Sequence, residues 1–292
     1  MKTLIILTDF SKNARNAANA ALEIAVKLNS KLLLVNSYLM PVAVVSAESE
    51  GRGMIDTSLI TSASTSGLKK EARRLKALLN KMTVTIRKPE VGYLATMDSI
   101  HDVVKILSEK LQISMMVIGA HETSLPRLFS EINLQALLGQ LSYPLVIIPK
   151  NHRDFAIKNV VFATDLDEED LSMLRKIDNC GRTFGFHLHV CHVSSTPFVP
   201  DFNEEDKVAW FQHHVALLGQ GNITFTNLKG RSLAKAMNNF NASIGADLLA
   251  IIYHPHSLAW KLLHENHSAK LIRNQKLPLL IFPPNFLEIC NE

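Results

Sequence analysis

The stretch Val117-Ile-Gly-Ala-His-Glu122 runs from an apolar segment into a polar loop, and Ser130-Glu-Ile-Asn133 then leads into a further apolar stretch. A glycine at the exit of a buried strand, followed by a helix start, is how many α/β proteins bring backbone N–H groups and a favourable helix dipole to a phosphate. Gly119, His121, Ser130 and Asn133 are therefore candidate ligand contacts. Glu122 works against that reading, because a carboxylate beside a triphosphate is repelled unless a metal intervenes. The plainer reading is that Gly119 permits a tight strand exit and that Ser130 and Asn133 cap a helix.

A second set of candidates is histidine-rich. His254 and His256 flank Pro255, while His264 and His267 stand three apart, on one face of a helix. Imidazoles so placed suit zinc or nickel, although no cysteine or carboxylate stands at firm ligand spacing. Upstream, His187 and His189 share one face of a strand and His192 points to the other. The alternative for all of them is ordinary solvated histidine. Turnover finds less support, since no nucleophile elbow is present and the adjacent His121 and Glu122 point apart on a loop. No enzyme is expected.

The elements that must position these residues occur twice. Leu4-Ile-Ile-Leu-Thr-Asp9 returns as Val161-Phe-Ala-Thr-Asp165, and Lys31-Leu-Leu-Leu-Val-Asn36 as His187-Leu-His-Val-Cys191. Strand-like segments reach Gly92 and Gly230. Met115-Met-Val-Ile-Gly-Ala-His121 is matched by Leu248-Leu-Ala-Ile-Ile-Tyr-His254, and Pro144–Pro149 by Pro278–Pro283. Between them lie 3.6-period faces: Ala14, Ala18, Ala21, Ala25 and Leu28; Leu68, Ala72, Leu75 and Leu79; Val208, Phe211, Val215 and Leu218. Continuous apolar strands alternating with amphipathic helices predict an α/β chain of two tandem doubly wound parallel five-stranded sheets flanked by helices. The domains are expected at 1–150 and 155–292. The segment from Pro41 to Gly67, rich in Ser, Ala and Gly, reads as a mobile excursion, with a shorter counterpart from Ser194 to Asp206.

Composition narrows the function. The 292 residues carry 31 basic and 27 acidic groups scattered along the chain, which gives no basic stripe for nucleic acid. No apolar run approaches the ~20 residues of a membrane span, and Asp9 cuts short the signal-like opening, so a cytoplasmic protein is expected. Cys180, Cys191 and Cys290 are odd in number and lack paired spacing, and read as packing residues in a reducing compartment.

The repeat, Leu7-Thr-Asp9-Phe-Ser11 closing the first strand, the fourth strand with its loop, and the final Tyr143-Pro-Leu-Val-Ile-Ile strand together resemble a tandem universal stress protein. The resemblance implies a Rossmann-like, adenine nucleotide alpha hydrolase-like fold and a cytoplasmic stress-response or signalling module. It also implies the set that would hold ATP or another adenine nucleotide: Asp9, Asn36, Gly119, His121, Ser130, Asn133 and Asp165, with Asp9 and Asp165 near the nucleobase. Residue by residue the match is partial. Gly119 keeps the family's first loop glycine, Glu122 replaces the second, and no Gly-Ser pair follows; in the second half Ile252 and Pro255 stand at the two glycine positions. Asp9 and Asp165 read equally as helix caps. Degenerate loops without turnover are the principal expectation. A nucleotide-binding switch through the first half and a metal-responsive protein through the second-half histidines are the alternatives. The resemblance further implies pairing of the two halves as a pseudo-dimer through the final strands, association of two chains as a homodimer, and protein partners that the sequence does not name.

Overall fold

The structure, a computed structural model, describes residues 1–38, 57–83, 87–120, 134–150, 156–194, 202–218, 222–230, 232–253, 277–283 and 286. The chain forms two compact units, Met1–Gly119 with Thr123–Gln140, and Ala120–Glu122 with Leu141–Glu292. Among the described residues no helix is long and apolar enough to cross a membrane.

In the first unit the strands β1 (Thr3–Leu7), β2 (Lys31–Ser37), β3 (Val91–Thr96) and β4 (Ile113–Gly119) alternate with helices α1 (Lys12–Lys27), α2 (Thr57–Lys81) and α3 (Ile100–Lys110), and α4 (Leu134–Gln140) follows β4. The strand order is β3-β2-β1-β4, all parallel. Every residue of β1 is buried, as expected for a strand covered on both faces. The crossover from β3 to β4 reverses the direction of winding, so the exits of β1 and β4 border the crevice in which open α/β sheets place ligands.

The alanine face of α1 is what lets that helix sit low on the sheet. Ala14, Ala17, Ala18, Ala21 and Ala25 are all buried, and α1 lies against β4 as well as β1 and β2. Ser11 starts the helix, its Oγ accepting the N–H of Ala14 at 3.1 Å, which satisfies one of the orphan donors of the first turn. The predicted face of α2 holds, with Leu68, Ala72, Leu75 and Leu79 buried; that of α1 holds except at Leu28, which is half-buried at the C-cap.

Helix α2 corrects the reading of Pro41–Gly67 as an excursion, since it begins at Thr57 and its first three turns are Ser/Thr-rich. Such residues are indifferent helix formers, and tertiary bonds hold them: Ser64 Oγ donates to Asn36 Oδ1 at 2.6 Å and the Tyr38 hydroxyl to Thr61 Oγ1 at 2.8 Å. Residues 41–56 lie outside the described residues.

The second unit repeats the pattern with β6 (Asn159–Ala163), β7 (His187–Ser194), β8 (Ile223–Lys229), β9 (Leu248–Ile252) and β10 (Leu279–Phe282), joined through α5 (Glu168–Phe184), α6 (Phe202–Leu218) and α7 (Leu233–Ile244). The order is β5-β10-β9-β6-β7-β8, where β5 is Leu145–Ile148. By sequence repeat the strands divide five and five; by compactness β5 goes with the second unit. There β5 and β10 run antiparallel, Leu279 facing Ile147 and Ile281 facing Leu145, so the sheet is not purely parallel. Each of these short, fully buried strands covers an edge of the other that would otherwise invite aggregation. Gly185 (φ 72°) closes α5 and Gly245 (φ 61°) closes α7 in the left-handed conformation. The shorter excursion predicted at Ser194–Asp206 is helical from Phe202 onward.

The cysteine expectation also needs correction. Cys191 is free and buried, and burial pushes its thiol up to about 12, which fits a packing role. Cys180, by contrast, is disulfide-bonded. Spacing along the chain did not reveal it because pairing is set by proximity in the fold.

Candidate functional site

At the exits of β1 and β6 the backbone repeats itself closely. Thr8 and Thr164 each continue the ladder, donating N–H to Val35 O at 2.9 Å and to Cys191 O at 3.0 Å. Each threonine hydroxyl then accepts the N–H two residues on: Phe10 N to Thr8 Oγ1 at 3.1 Å, Leu166 N to Thr164 Oγ1 at 2.9 Å. Phe10 (φ 65°) and Leu166 (φ 69°) are both left-handed, although neither is glycine. Conformations of this kind cost on the order of 1 kcal/mol or more and persist where the surroundings fix them. They turn the chain from strand into helix within four residues.

This turn moves the helix caps away from Asp9 and Asp165. Ser11 and Asp167 occupy the cap positions, because a left-handed residue intervenes before each helix. Asp9 instead accepts the N–H of Ser11 on Oδ1 at 2.9 Å and stiffens the turn. The backbone N–H of Asp165 donates to Asp170 Oδ2 at 3.0 Å.

Gly119 sits against the first turn of α1. A Cβ there would lie 2.8 Å from Asn13 O, 2.9 Å from Asn13 C and 3.2 Å from Ala14 N. These are backbone atoms of a capped helix and do not give way cheaply. Close approach of helix to strand, rather than a special turn, is what the glycine serves here. Ile252, its counterpart, carries a full buried side chain at the exit of β9, so the start of α5 must stand further from that strand.

Asn36, at the end of β2, has both ends of its amide engaged. Nδ2 donates to Thr8 O at 2.6 Å and Oδ1 accepts from Ser64 Oγ at 2.6 Å. It thereby ties β1, β2 and α2 together beneath the crevice. The second unit does the same with different chemistry. His192 holds the position of Asn36, its Nδ1 lying 2.8 Å from Thr164 O and its Nε2 3.4 Å from Glu204 Oε1 on α6. His192 is buried, whereas His187 on the opposite face is exposed. His189 shares that face, with Nδ1 3.0 Å from Thr224 Oγ1 and Nε2 3.4 Å from Asn159 Oδ1; burial, with the neighbouring His187, lowers its pKa.

Asp170 completes the second crevice. Its Oδ2 accepts from Thr164 Oγ1 at 2.5 Å as well as from the Asp165 N–H. Burial pushes its carboxyl up to about 6, against the opposing pull of those two hydrogen bonds and with a smaller contribution from Asp165 and Asp167. The two crevices thus differ in charge. The first turn of α1 contains Lys12 and, one residue past it, Arg15, with no acidic residue; the first turn of α5 contains Glu168, Glu169 and Asp170.

Of the residues singled out by sequence, Asp9, Asn36 and Gly119 meet at the first crevice, and Asp165 borders the second. His121, Ser130 and Asn133 lie outside the described residues, as do His254, His256, His264 and His267; among the described residues no group of three His, Cys, Asp or Glu could hold a metal ion. The roles of Thr8, Ser64, Thr164, Asp170 and Glu204 were not anticipated, and His192 was placed on its face of the strand without its partners. The repeat held the signal for three of them, since Thr-Asp recurs and Asn36 aligns with His192.

The family model for the universal stress protein family matches residues 1–149 and again residues 156–283. Among solved structures, the chain is similar to a universal stress protein from Archaeoglobus fulgidus DSM 4304, at 14% identity over 96% of both chains with a TM-score of 0.63. It is also similar to a functionally unknown protein from Pseudomonas aeruginosa PAO1, at 13% identity over 98% of this chain and 93% of that one, with a TM-score of 0.57. A universal stress protein in complex with cAMP matches at 16% identity over 43% of this chain and 97% of its own, with a TM-score of 0.33. No curated protein sequence matches the chain.

Proposed function

The chain belongs to the universal stress protein family, carrying two tandem copies of its domain, and from that premise we propose that it is a stress-response or signalling module that works by binding, without catalytic turnover, and whose phosphate-binding loops are degenerate. The observation that carries this reading is the use of Gly119. Its bare Cα is where the backbone of α1 rests, 2.8 Å from where a Cβ would be, so the one family loop glycine retained has a packing reason to persist. Asn36 is likewise engaged at both ends, and Ile252 fills the second copy's position. Incubation of the purified protein with Mg-ATP tests the absence of turnover, and measurable hydrolysis that a Gly119 variant abolishes would refute it.

A second reading, an adenine-nucleotide switch through the first domain, is supported by the charge contrast between the crevices. Lys12 and Arg15 flank the start of α1, and a helix N-terminus favours anions; Glu168, Glu169 and Asp170 at the start of α5 repel them. Nucleotide binding is therefore proposed for the first domain alone. Thermal unfolding with and without Mg-ATP distinguishes the readings, since a ligand at 100 times its dissociation constant adds about 2.7 kcal/mol. No shift at millimolar nucleotide removes the switch.

The proposal extends to assembly and place. It includes pairing of the two domains as a pseudo-dimer and self-association of whole chains, the latter tested by sedimentation. A cytoplasmic location has the Cys180 disulfide against it, because such bonds are rare in reducing compartments. Alkylation of free thiols at the moment of lysis decides that point: labelled Cys180 supports the cytoplasm, protected Cys180 speaks for an oxidising compartment.

A further inference from the structure

We infer that Cys180 and Cys290 form a reversible disulfide, a redox-operated clasp that fastens the chain beyond β10 to helix α5. The chain holds three cysteines. Cys191 is free and Cys180 is disulfide-bonded, which leaves Cys290 as its partner within the chain. Cys290 itself lies outside the described residues, and Phe286 fixes where the stretch leading to it begins. Phe286 is 8% exposed and meets Phe282 of β10 edge to face, ring centroids 5.0 Å apart. Lys176 Nζ of α5 lies 5.2 Å from the centre of the Phe286 ring, a cation–π contact. Cys180 stands one turn beyond Lys176 on the same face of α5, and Cys290 stands four residues beyond Phe286. Four helical residues advance about 6 Å, and four residues of extended chain span up to about 13 Å. The two thiols can therefore meet with Phe286 in its seat.

Two observations make the bond conditional rather than a fixed staple. The second unit has a core of its own: every residue of β9 and β10 is buried, as are Leu174 and Ile177 of α5. Domains that need disulfides to fold are those too small to bury such a core. Access is the other. Cys180 is half-buried and open to a small reagent, whereas Cys191 is 0% exposed and takes no part in exchange. The chemistry balances with a small-molecule disulfide such as oxidised glutathione. One cysteine, as thiolate, attacks a sulfur of the reagent and expels one glutathione thiolate; the other then attacks the protein sulfur of the mixed disulfide and expels the second. The two cysteine sulfurs are oxidised, two glutathione thiols form, and the two protons shed by cysteine pass to them. Excess reduced glutathione runs the same steps backward. Residues 1–150 contain no cysteine, so oxidation marks the second domain alone, whichever ligand reading of the first domain holds.

Full-length protein equilibrated in glutathione buffers of graded oxidised-to-reduced ratio, then alkylated, tests the inference. Non-reducing proteolysis and mass spectrometry are expected to find one linked pair of peptides, carrying Cys180 and Cys290. The pair is expected to appear in oxidised buffer and to vanish in reduced buffer, with the far-ultraviolet circular dichroism of a folded chain in both. Closing a loop of about 110 residues is expected to raise the urea midpoint of the oxidised protein by about 1–2 M over the reduced form. Cys290→Ser is expected to keep the midpoint of the reduced form in both buffers. A Cys180 that links to a second chain, that alkylates at every ratio, or that stays bonded in excess reduced glutathione would overturn the clasp.

Discussion

Asp170→Asn isolates what it costs to hold a charge at the first turn of α5. The carboxylate is 4% exposed, and both its hydrogen bonds reach one oxygen, from Thr164 Oγ1 and the Asp165 N–H. An asparagine oxygen accepts the same two bonds, so the substitution removes the charge and keeps the geometry. The carboxyl rises from its ordinary 3.8 to about 6. At about 1.36 kcal/mol for each tenfold change in proton affinity, that corresponds to roughly 3 kcal/mol. The sign follows from linkage. The folded state holds the proton more tightly than the unfolded chain, so its stabilising contribution is complete below 3.8 and is lost as pH rises through about 6. Urea unfolding of both proteins between about pH 4 and pH 8 measures it, followed by far-ultraviolet circular dichroism. Groups that titrate in both proteins largely cancel in the difference. The variant is expected to gain about 2–3 kcal/mol on the wild type across that range, with the gain concentrated below pH 6.5. A difference that stays flat, or a variant that gains towards acid, would refute the assignment of the raised carboxyl to desolvation.

Two substitutions in the first domain test the packing account of its crevice. Gly119→Ala sets a methyl 2.8 Å from Asn13 O, and overpacking against backbone costs about 1–3 kcal/mol; denaturant unfolding without nucleotide checks it, and an unchanged midpoint would return the glycine to a ligand role. Ser64→Ala leaves the buried Asn36 Oδ1 without the 2.6 Å bond it now accepts. A loss of about 1–3 kcal/mol is expected, read from the same unfolding curves, with the second domain unaffected where the two domains unfold in separate steps.

Much of the architecture could be read from pattern alone because parallel strands buried on both faces are continuous apolar runs, and because each run occurs twice. What pattern could not supply was chemistry that depends on neighbours distant in sequence. The first turns of α2 were hidden by their serines and threonines, and there Ser64 and Thr61 bond to Asn36 and Tyr38. The role of Gly119 was hidden for the same reason, since Asn13 lies more than a hundred residues earlier and only the low seat of an alanine-faced helix brings it close. Periodicity did separate His192 from His187 and His189, yet it could not pair His192 with Glu204, because the start of α6 was read as loop.

The two domains differ in the side chains that meet the shared turn. Thr8-Asp9-Phe10-Ser11 and Thr164-Asp165-Leu166-Asp167 build the same left-handed bend, so the backbone offers each domain one carbonyl, one hydroxyl and one helix start at equivalent places. In the first domain those groups meet an asparagine, a serine and basic flanks; in the second they meet a histidine and two carboxylates, one of them titrating at about 6. A phosphate-bearing ligand is favoured by the first set of charges and disfavoured by the second. The asymmetry between the domains therefore arises from side chains that contact one shared bend, and not from the backbone that forms it.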